Sequence, residues 1–217
     1  MGTLEILYAA IGVSAIFIVA EGIMLFRCKR AVKSKLAQIE ALNEEVQAAR
    51  SLDEATGAYN YPFFVKMANL QIKMARRHKW PVTLMIVDID QLESVNLRYS
   101  FKTGDAILKH LNDTIRSVVR SSDVLGRFGG SGIFVLLSEC DIENITNVRE
   151  RIEQKIEQTP FMQGKKSIEY RRSYGAVTMY GKQIHLNRML GLAEDALARA
   201  KEKRKEIVIF DKEGSEV

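Results

Sequence analysis

The stretch that decides the fold reads Arg120-Ser121-Ser122-Asp123-Val124-Leu125-Gly126-Arg127-Phe128-Gly129-Gly130-Ser131-Gly132-Ile133-Phe134-Val135-Leu136-Leu137. Apolar residues run from Val124 to Phe128 into a Gly-Gly turn and continue from Ile133 to Leu137. Because glycine adopts the positive φ that tight turns need, this pattern predicts a β-hairpin.

Strand-like and helix-like runs alternate on both sides of this hairpin. Helical spacing of apolar residues predicts helices over 63–77, 142–158 and 186–203, and one that follows Thr103-Gly104-Asp105 and runs to about residue 119. Strands are expected at 82–87 and 207–210, and 167–180 fits either a strand pair or one bent strand. The alternation favours an α/β domain with a central sheet.

Two carboxylates follow the predicted strand at 82–87. This strand is almost wholly apolar, which is typical of a buried strand, and it ends in Asp88-Ile89-Asp90. It therefore delivers carboxylates at its C-terminal end.

Taken together, these residues resemble the GGDEF family, the diguanylate cyclase domains. The turn of that family reads Arg-Phe/Tyr-Gly-Gly-Asp/Glu-Glu-Phe, and here Ser131, Gly132 and Ile133 replace its last three residues. Asp53-Glu-Ala-Thr-Gly-Ala-Tyr-Asn60 resembles the family's entry segment. The resemblance spans residues 52–210 and implies a palm-like nucleotidyl-cyclase fold, α/β (α+β), with roughly five mainly antiparallel strands ringed by helices.

The resemblance also implies a reaction that this turn is poorly equipped to perform. Family members join two GTP molecules into cyclic di-GMP, with Mg²⁺ held by residues at the positions of Asp88 and Ser131. A serine hydroxyl is neutral, and Gly132 has no side chain, so half of the anionic ligand set is missing. No intact catalytic residue is expected, and the domain is predicted to be a degenerate, inactive member; a weakly active cyclase is the alternative.

Parts of the GTP half-site still match the family. Asn96 and Asp105 fall on its guanine-reading residues, and Lys201 falls on its phosphate-contacting lysine. Glu93 stands where a phosphate-binding lysine is usual and would repel a triphosphate. The plainer interpretations are that Asp88 caps its strand end and Asp105 caps its helix. GTP binding without turnover stays open, and Mg²⁺, with Asp88 as its residual ligand, would accompany GTP if GTP binds.

A second site is implied by Arg120 and Asp123. They match the Arg-x-x-Asp motif of the family's inhibitory site, the I-site, which binds cyclic di-GMP. An arginine fork can bond guanine N7/O6 or phosphate, and a carboxylate accepts from guanine N1–H and N2–H. Arg149 or Arg151 is a candidate third residue. Taken alone, the motif is more often a surface ion pair.

The N-terminal part of the chain predicts a membrane anchor. Residues 6–26 are almost wholly apolar, and a helix of that length reaches roughly 30 Å, the thickness of a bilayer core. Basic residues follow at Arg27, Lys29 and Arg30, which predicts a single pass through the bacterial inner membrane with the C-terminal domain in the cytoplasm. The expected organisation is an anchor at 1–27, a linker helix at 28–52, the domain at 53–211 and a tail at 212–217.

The linker helix has two interpretations. Apolar residues near a 3.5-residue period fit a short coiled coil that would join two copies into a homodimer. An amphipathic helix packed on its own domain fits the same pattern.

Composition narrows the classes of partner. The net charge of +5 suggests an anionic partner, but no basic stripe interleaved with aromatic residues is present, so nucleic acid is not expected. Cys28 and Cys140 lack metal or disulfide spacing and are expected to be free thiols.

Three functional hypotheses follow. The first is a membrane-anchored, inactive receptor for cyclic di-GMP that acts through Arg120 and Asp123 on a downstream protein. The second is a weak diguanylate cyclase. The third is a nucleotide-independent or GTP-binding interaction module.

Overall fold

The computed structural model of the protein describes residues 2, 24–30, 32–36, 38–39, 51–203, 207–211 and 215–216. The chain divides into two units, Met1–Ala49 and Arg50–Val217, and the described residues of the first are all helical. Within the described ranges no helix is both long and apolar enough to span a membrane. Apart from residues 24–26, the predicted span at 6–26 lies outside the described residues, as does 40–50 of the predicted linker helix.

The second unit is built on a five-stranded sheet. Its strands are β1 (Pro81–Ile89), β2 (Val124–Phe128), β3 (Gly132–Ser138), β6 (Arg172–Tyr180) and β7 (Ile207–Phe210), and β4 (Met162–Gln163) and β5 (Lys166–Ser167) form a separate two-stranded ribbon. The strand order in the sheet is β2-β3-β1-β6-β7, and all neighbouring pairs are antiparallel except β6 and β7, which are parallel. The mainly antiparallel sheet that the family resemblance implied is therefore confirmed.

Five helices surround the sheet among the described residues: α1 (Tyr61–His78), α2 (Leu92–Arg98), α3 (Phe101–Val118), α4 (Ile142–Gln158) and α5 (Leu186–Lys203). Helices α4 and α5 have the predicted bounds. Helix α2 was not predicted, because seven residues are too few for a clear apolar period.

The start of α3 differs from the prediction. Ser100 is its N-cap, and its side chain accepts from the Thr103 amide, so Thr103-Gly104-Asp105 lies inside the first turns. The expectation that Asp105 caps this helix was wrong, since a hydroxyl five residues earlier already performs that role.

The two faces of the sheet carry separate hydrophobic layers. Met85, Val87 and Ile89 of β1 pack toward α3 and α4, whereas Leu84 and Ile86 pack toward α1 and α5. Side chains alternate along a strand, so Asp88 shares the face of Ile86. The last carboxylate of β1 is thereby directed to the layer that contains α5.

The hairpin forms as the sequence predicts. Strand β2 pairs with β3 from Val124↔Leu136 to Phe128↔Gly132, and Gly129 in the turn has φ +50°. Strand β3 also pairs with β1, which sets Gly132 opposite Asp88. The turn and the end of the central strand therefore meet at one edge of the domain.

The two cysteines should differ sharply in reactivity. Burial raises the pKa of the Cys140 thiol to about 11, whereas Cys28 is exposed. Because the thiolate is the nucleophile, we expect iodoacetamide at pH 8 to label Cys28 while about one Cys140 in a thousand is ionised at any moment. Labelling of Cys140, followed by mass spectrometry, should rise about tenfold per pH unit up to its pKa.

The control for this measurement is Cys28→Ser, which should leave almost no fast-reacting thiol. Equal labelling rates for the two cysteines at pH 8 would contradict the burial of Cys140.

Candidate functional site

The first cluster of polar side chains lies where β1 ends beside the hairpin turn. Asp88 is 2% exposed, and its two oxygens are both engaged. The Ser131 hydroxyl donates to Oδ1 at 2.5 Å, and the Lys201 ammonium donates to Oδ2. Three of the residues selected from the sequence are thus in direct contact.

Lys201 reaches this cluster because of how α5 packs. Ala193, Ala196 and Ala200 are buried against the sheet, so the helix backbone lies close to it. Lys201 follows on the next position, with 43% of its side chain exposed, and extends to the end of β1. The sequence predicted a phosphate contact for this lysine; the structure places its ammonium on a carboxylate of the same chain.

A divalent metal does not fit this cluster. Mg²⁺ requires several oxygen ligands in near-octahedral array, and the cluster offers one carboxylate that already accepts from a lysine and a serine. Among the described residues, no group of three or more His, Cys, Asp or Glu side chains is placed to hold a metal ion. The predicted role of Asp88 as a residual metal ligand therefore has no support in the geometry.

The two predicted guanine-reading residues come from α2 and α3. Asn96 packs against the start of α3 so closely that a Cβ at Gly104 would lie 1.9 Å from its Oδ1. This oxygen is buried and has no hydrogen-bond partner among the described residues. Asp105 follows Gly104 and is exposed. An unsatisfied buried acceptor is costly, so Asn96 Oδ1 is a candidate to accept a hydrogen bond from a ligand.

Arg127 is a residue of this site that the sequence interpretation assigned no role. Its Nη2 donates to the Gly130 carbonyl at 2.6 Å, while Nη1 is buried and unpaired within the described part of the chain. Burial lowers the pKa of its guanidinium, and the charges of Asp53, Asp105 and Asp88 act in the opposite direction. It therefore lies in a carboxylate-rich environment. The sequence could have indicated Arg127 as a site residue, because it is the first residue of the Arg-Phe-Gly-Gly turn motif.

The second cluster surrounds Arg120 and Asp123. They line a cavity of about 530 Å³, closed on one side by α4. Polar side chains in its wall include Asn144, Asn147 and Arg151, all from one face of α4. Cavities of this size accommodate small-molecule ligands.

Asp123 has a structural role in addition to lining this cavity. It is 5% exposed; Oδ2 accepts from the Arg120 amide at 2.8 Å and Oδ1 from the Ser138 amide at 3.1 Å. Burial raises the pKa of its carboxyl above the usual value, although both amides and the Arg120 and Arg116 charges act to lower it. Each carboxylate oxygen has a second lone pair, so it retains acceptor capacity toward the cavity.

The structure also distinguishes the two candidate arginines of α4. Arg151 lines the cavity and its Nη2 donates to the Val118 carbonyl at 2.6 Å. Arg149 lies one turn from Ile145 and Ile152, on the core-facing side of the helix, and is not part of the cavity wall. Helical spacing therefore directs Arg151, and not Arg149, toward Arg120.

The amino-acid sequence is similar to a known protein family and to curated members of it. A family model described as diguanylate cyclase, GGDEF domain, matches residues 50–206. Diguanylate cyclase DosC from Escherichia coli K12 is 27% identical over 179 residues, covering 82% of this chain and 39% of DosC. The chain thus spans well under half the length of the curated relatives it matches.

Two solved structures share the fold. Diguanylate cyclase SiaD of Pseudomonas aeruginosa, solved with its activator SiaC, matches with a TM-score of 0.68 at 20% identity, over 95% of this chain and 80% of that one. The GGDEF domain of DgcB from Caulobacter crescentus, solved with c-di-GMP, matches with a TM-score of 0.66 at 16% identity, over 75% of this chain and 93% of that one. At these identities the likeness shows the fold alone.

Proposed function

The chain belongs to the diguanylate cyclase GGDEF domain family, and from that premise we propose that it is a catalytically inactive receptor for cyclic di-GMP. The ligand binds beside Arg120 and Asp123, and the domain conveys its presence to a downstream protein. The GTP half-site is a remnant that does not turn over substrate.

The observation that carries this proposal is the cavity of about 530 Å³ between the Arg120–Asp123 turn and α4. Two guanidinium groups, Arg120 and Arg151, line it, and each offers planar donors that suit phosphate or guanine N7/O6. Asn144 and Asn147 add amide donors and acceptors. The wall also contains the carboxylates of Asp123 and Glu139, which can accept from guanine N1–H and N2–H. A ligand with phosphates and guanine bases therefore matches the hydrogen-bond types of this wall.

The absence of turnover is supported by the Asp88 cluster. Cyclisation of GTP needs charge compensation on the phosphates, and family members obtain it from divalent metal ions. Here the one carboxylate at the expected position is already neutralised by Lys201. Binding at the Arg120 cavity needs no metal, so loss of the catalytic acids leaves it unaffected.

The membrane anchor at 6–26 and a homodimer through 28–52 are part of the same proposal. The apolar run and the basic residues after it support a single pass with the domain in the cytoplasm. Anchoring raises the local concentration of neighbouring copies, which favours pairing of short linker helices.

Calorimetric titration of the 217-residue chain in detergent with cyclic di-GMP tests the proposal. We expect a dissociation constant on the order of 1 µM for the unmodified chain. Arg120→Ala removes a bidentate, charge-assisted contact and should weaken binding about 100-fold, equivalent to about 3 kcal/mol.

The matched control is Arg77→Ala, which removes an exposed arginine at the end of α1, outside the cavity wall. It should bind cyclic di-GMP as the unmodified chain does. The receptor proposal fails if the unmodified chain does not bind cyclic di-GMP, or if Arg120→Ala binds it equally well.

A further inference from the structure

The position beside Asp88 that a metal ion would need is filled by a side chain of the same molecule. Lys201 donates to Asp88 Oδ2, Ser131 donates to Oδ1, and the carboxylate is 2% exposed. Burying a carboxylate is costly because it loses its hydration. Here the Lys201 ammonium and the Ser131 hydroxyl offset that cost by donating to Asp88.

Within the Asp88 cluster the formal charges balance. Asp88 contributes one negative charge and Lys201 one positive charge, while Ser131 and Gly132 contribute none. The carboxylate of Asp90 is engaged with a different side chain, since its Oδ1 accepts from Ser173 at 2.8 Å. Glu93, on the first turn of α2, is exposed. A carboxylate that already has a cationic partner attracts a dication weakly.

We propose that the Lys201 ammonium is the resident cation of this site and that it excludes divalent metal from Asp88. The lysine thereby replaces the metal ion structurally, by compensating a buried carboxylate and tying the end of α5 to the end of β1. This inference does not rest on cyclic di-GMP binding at Arg120, so either proposal can fail without the other.

Metal titration with Mn²⁺ alone, without nucleotide, tests it in the 217-residue chain. The signal of free Mn²⁺ in electron paramagnetic resonance measures binding, and the melting temperature measures stability. The unmodified chain should bind no Mn²⁺ at millimolar concentration, and its melting temperature should move by less than about 1 °C when Mn²⁺ is added.

Lys201→Met leaves a buried carboxylate without its counter-ion and should lower the melting temperature by about 4–8 °C. Combining it with Ser131→Asp creates two carboxylates with no ammonium, and this double variant should bind Mn²⁺ at least about tenfold more tightly than Ser131→Asp alone. Mn²⁺ should then raise the melting temperature of the double variant.

Lys203→Met is the matched control, because Lys203 is two positions along α5 and pairs with Glu216 at the surface. It should melt and exclude Mn²⁺ as the unmodified chain does. If Lys201→Met does not fold, Lys201→Arg tests whether a positive charge at this position excludes divalent metal from Asp88. This variant keeps the charge and should exclude Mn²⁺ as the unmodified chain does.

Two results would overturn the inference. One is stoichiometric Mn²⁺ binding by the unmodified chain that Asp88→Asn abolishes, and the other is equal Mn²⁺ affinity in Ser131→Asp with and without Lys201.

Discussion

Gly175→Ala should unfold the domain or destabilise it by about 4 kcal/mol or more, which is a large part of the stability of a typical domain. Gly175 lies on β6 opposite Ile86 of β1, directly under α5. A Cβ added there would lie 2.2 Å from the Leu197 amide nitrogen and 2.4 Å from the Ala193 carbonyl oxygen. Both are backbone atoms of a helix, so neither can move without displacing α5.

Displacement of α5 would also reach the candidate site. The helix carries Lys201, which donates to Asp88, so the glycine on β6 controls the contact at the end of β1. Urea denaturation followed by fluorescence of Trp80 measures the effect, because the indole packs against the layer formed by α1 and α5. A free energy of unfolding within about 1 kcal/mol of that of the unmodified chain would show that α5 is not held this closely.

Gly191→Ala is the matched control on α5 itself. A Cβ at Gly191 would have no neighbour within 4 Å. Alanine also has the higher helix propensity, so this variant should be more stable by about 0.5–1 kcal/mol.

GTP should not be cyclised at a meaningful rate. With Mg²⁺ and GTP, we expect the chain to form cyclic di-GMP at least about 10³-fold more slowly than a family member with both acids in its turn, because charged ligands and carboxylates typically contribute factors of this size. Chromatographic detection of cyclic di-GMP measures the rate. Asp88→Asn should leave any residual rate unchanged.

A matched control uses the acid-bearing relative, in which replacing the first turn acid with serine should lower the rate to a similar level. A rate for this chain within tenfold of that of the unmodified relative would contradict the proposed inactivity.

The packing around the turn also indicates that the second acid, at the position of Gly132, cannot simply be reinstated. A Cβ at Gly132 would lie 2.8 Å from the ring carbon Cδ1 of Phe128 and 3.0 Å from both Asp88 Oδ1 and the Val87 carbonyl. The Phe128 ring would have to move before a glutamate fits. A side chain at position 132 therefore requires the Phe128 ring to be displaced.

Much of the fold was predictable from local pattern. The hairpin forms where predicted, with β3 one residue longer at each end, and α4 and α5 have the predicted extents, since each is defined by a strong apolar period or by turn glycines. Helix α2 and the start of α3 were missed, because a seven-residue helix has little periodicity and the cap at Ser100 competes with Asp105, which is an equally good capping residue.

The candidate sites were predictable only in part. Residue type and order pointed to Asp88, Ser131, Arg120 and Asp123, but sequence could not choose between Arg149 and Arg151, which depends on which face of α4 meets the core. The backbone amides that Asp123 accepts from were also not predictable.

The sequence by itself determined the family, the sheet-forming hairpin and the loss of the turn acids, because these are properties of residue identity and short-range spacing. The tertiary structure alone decided that Lys201 contacts Asp88. These residues are 113 positions apart, and their contact depends on the close packing of α5 over Gly175, which no local pattern encodes.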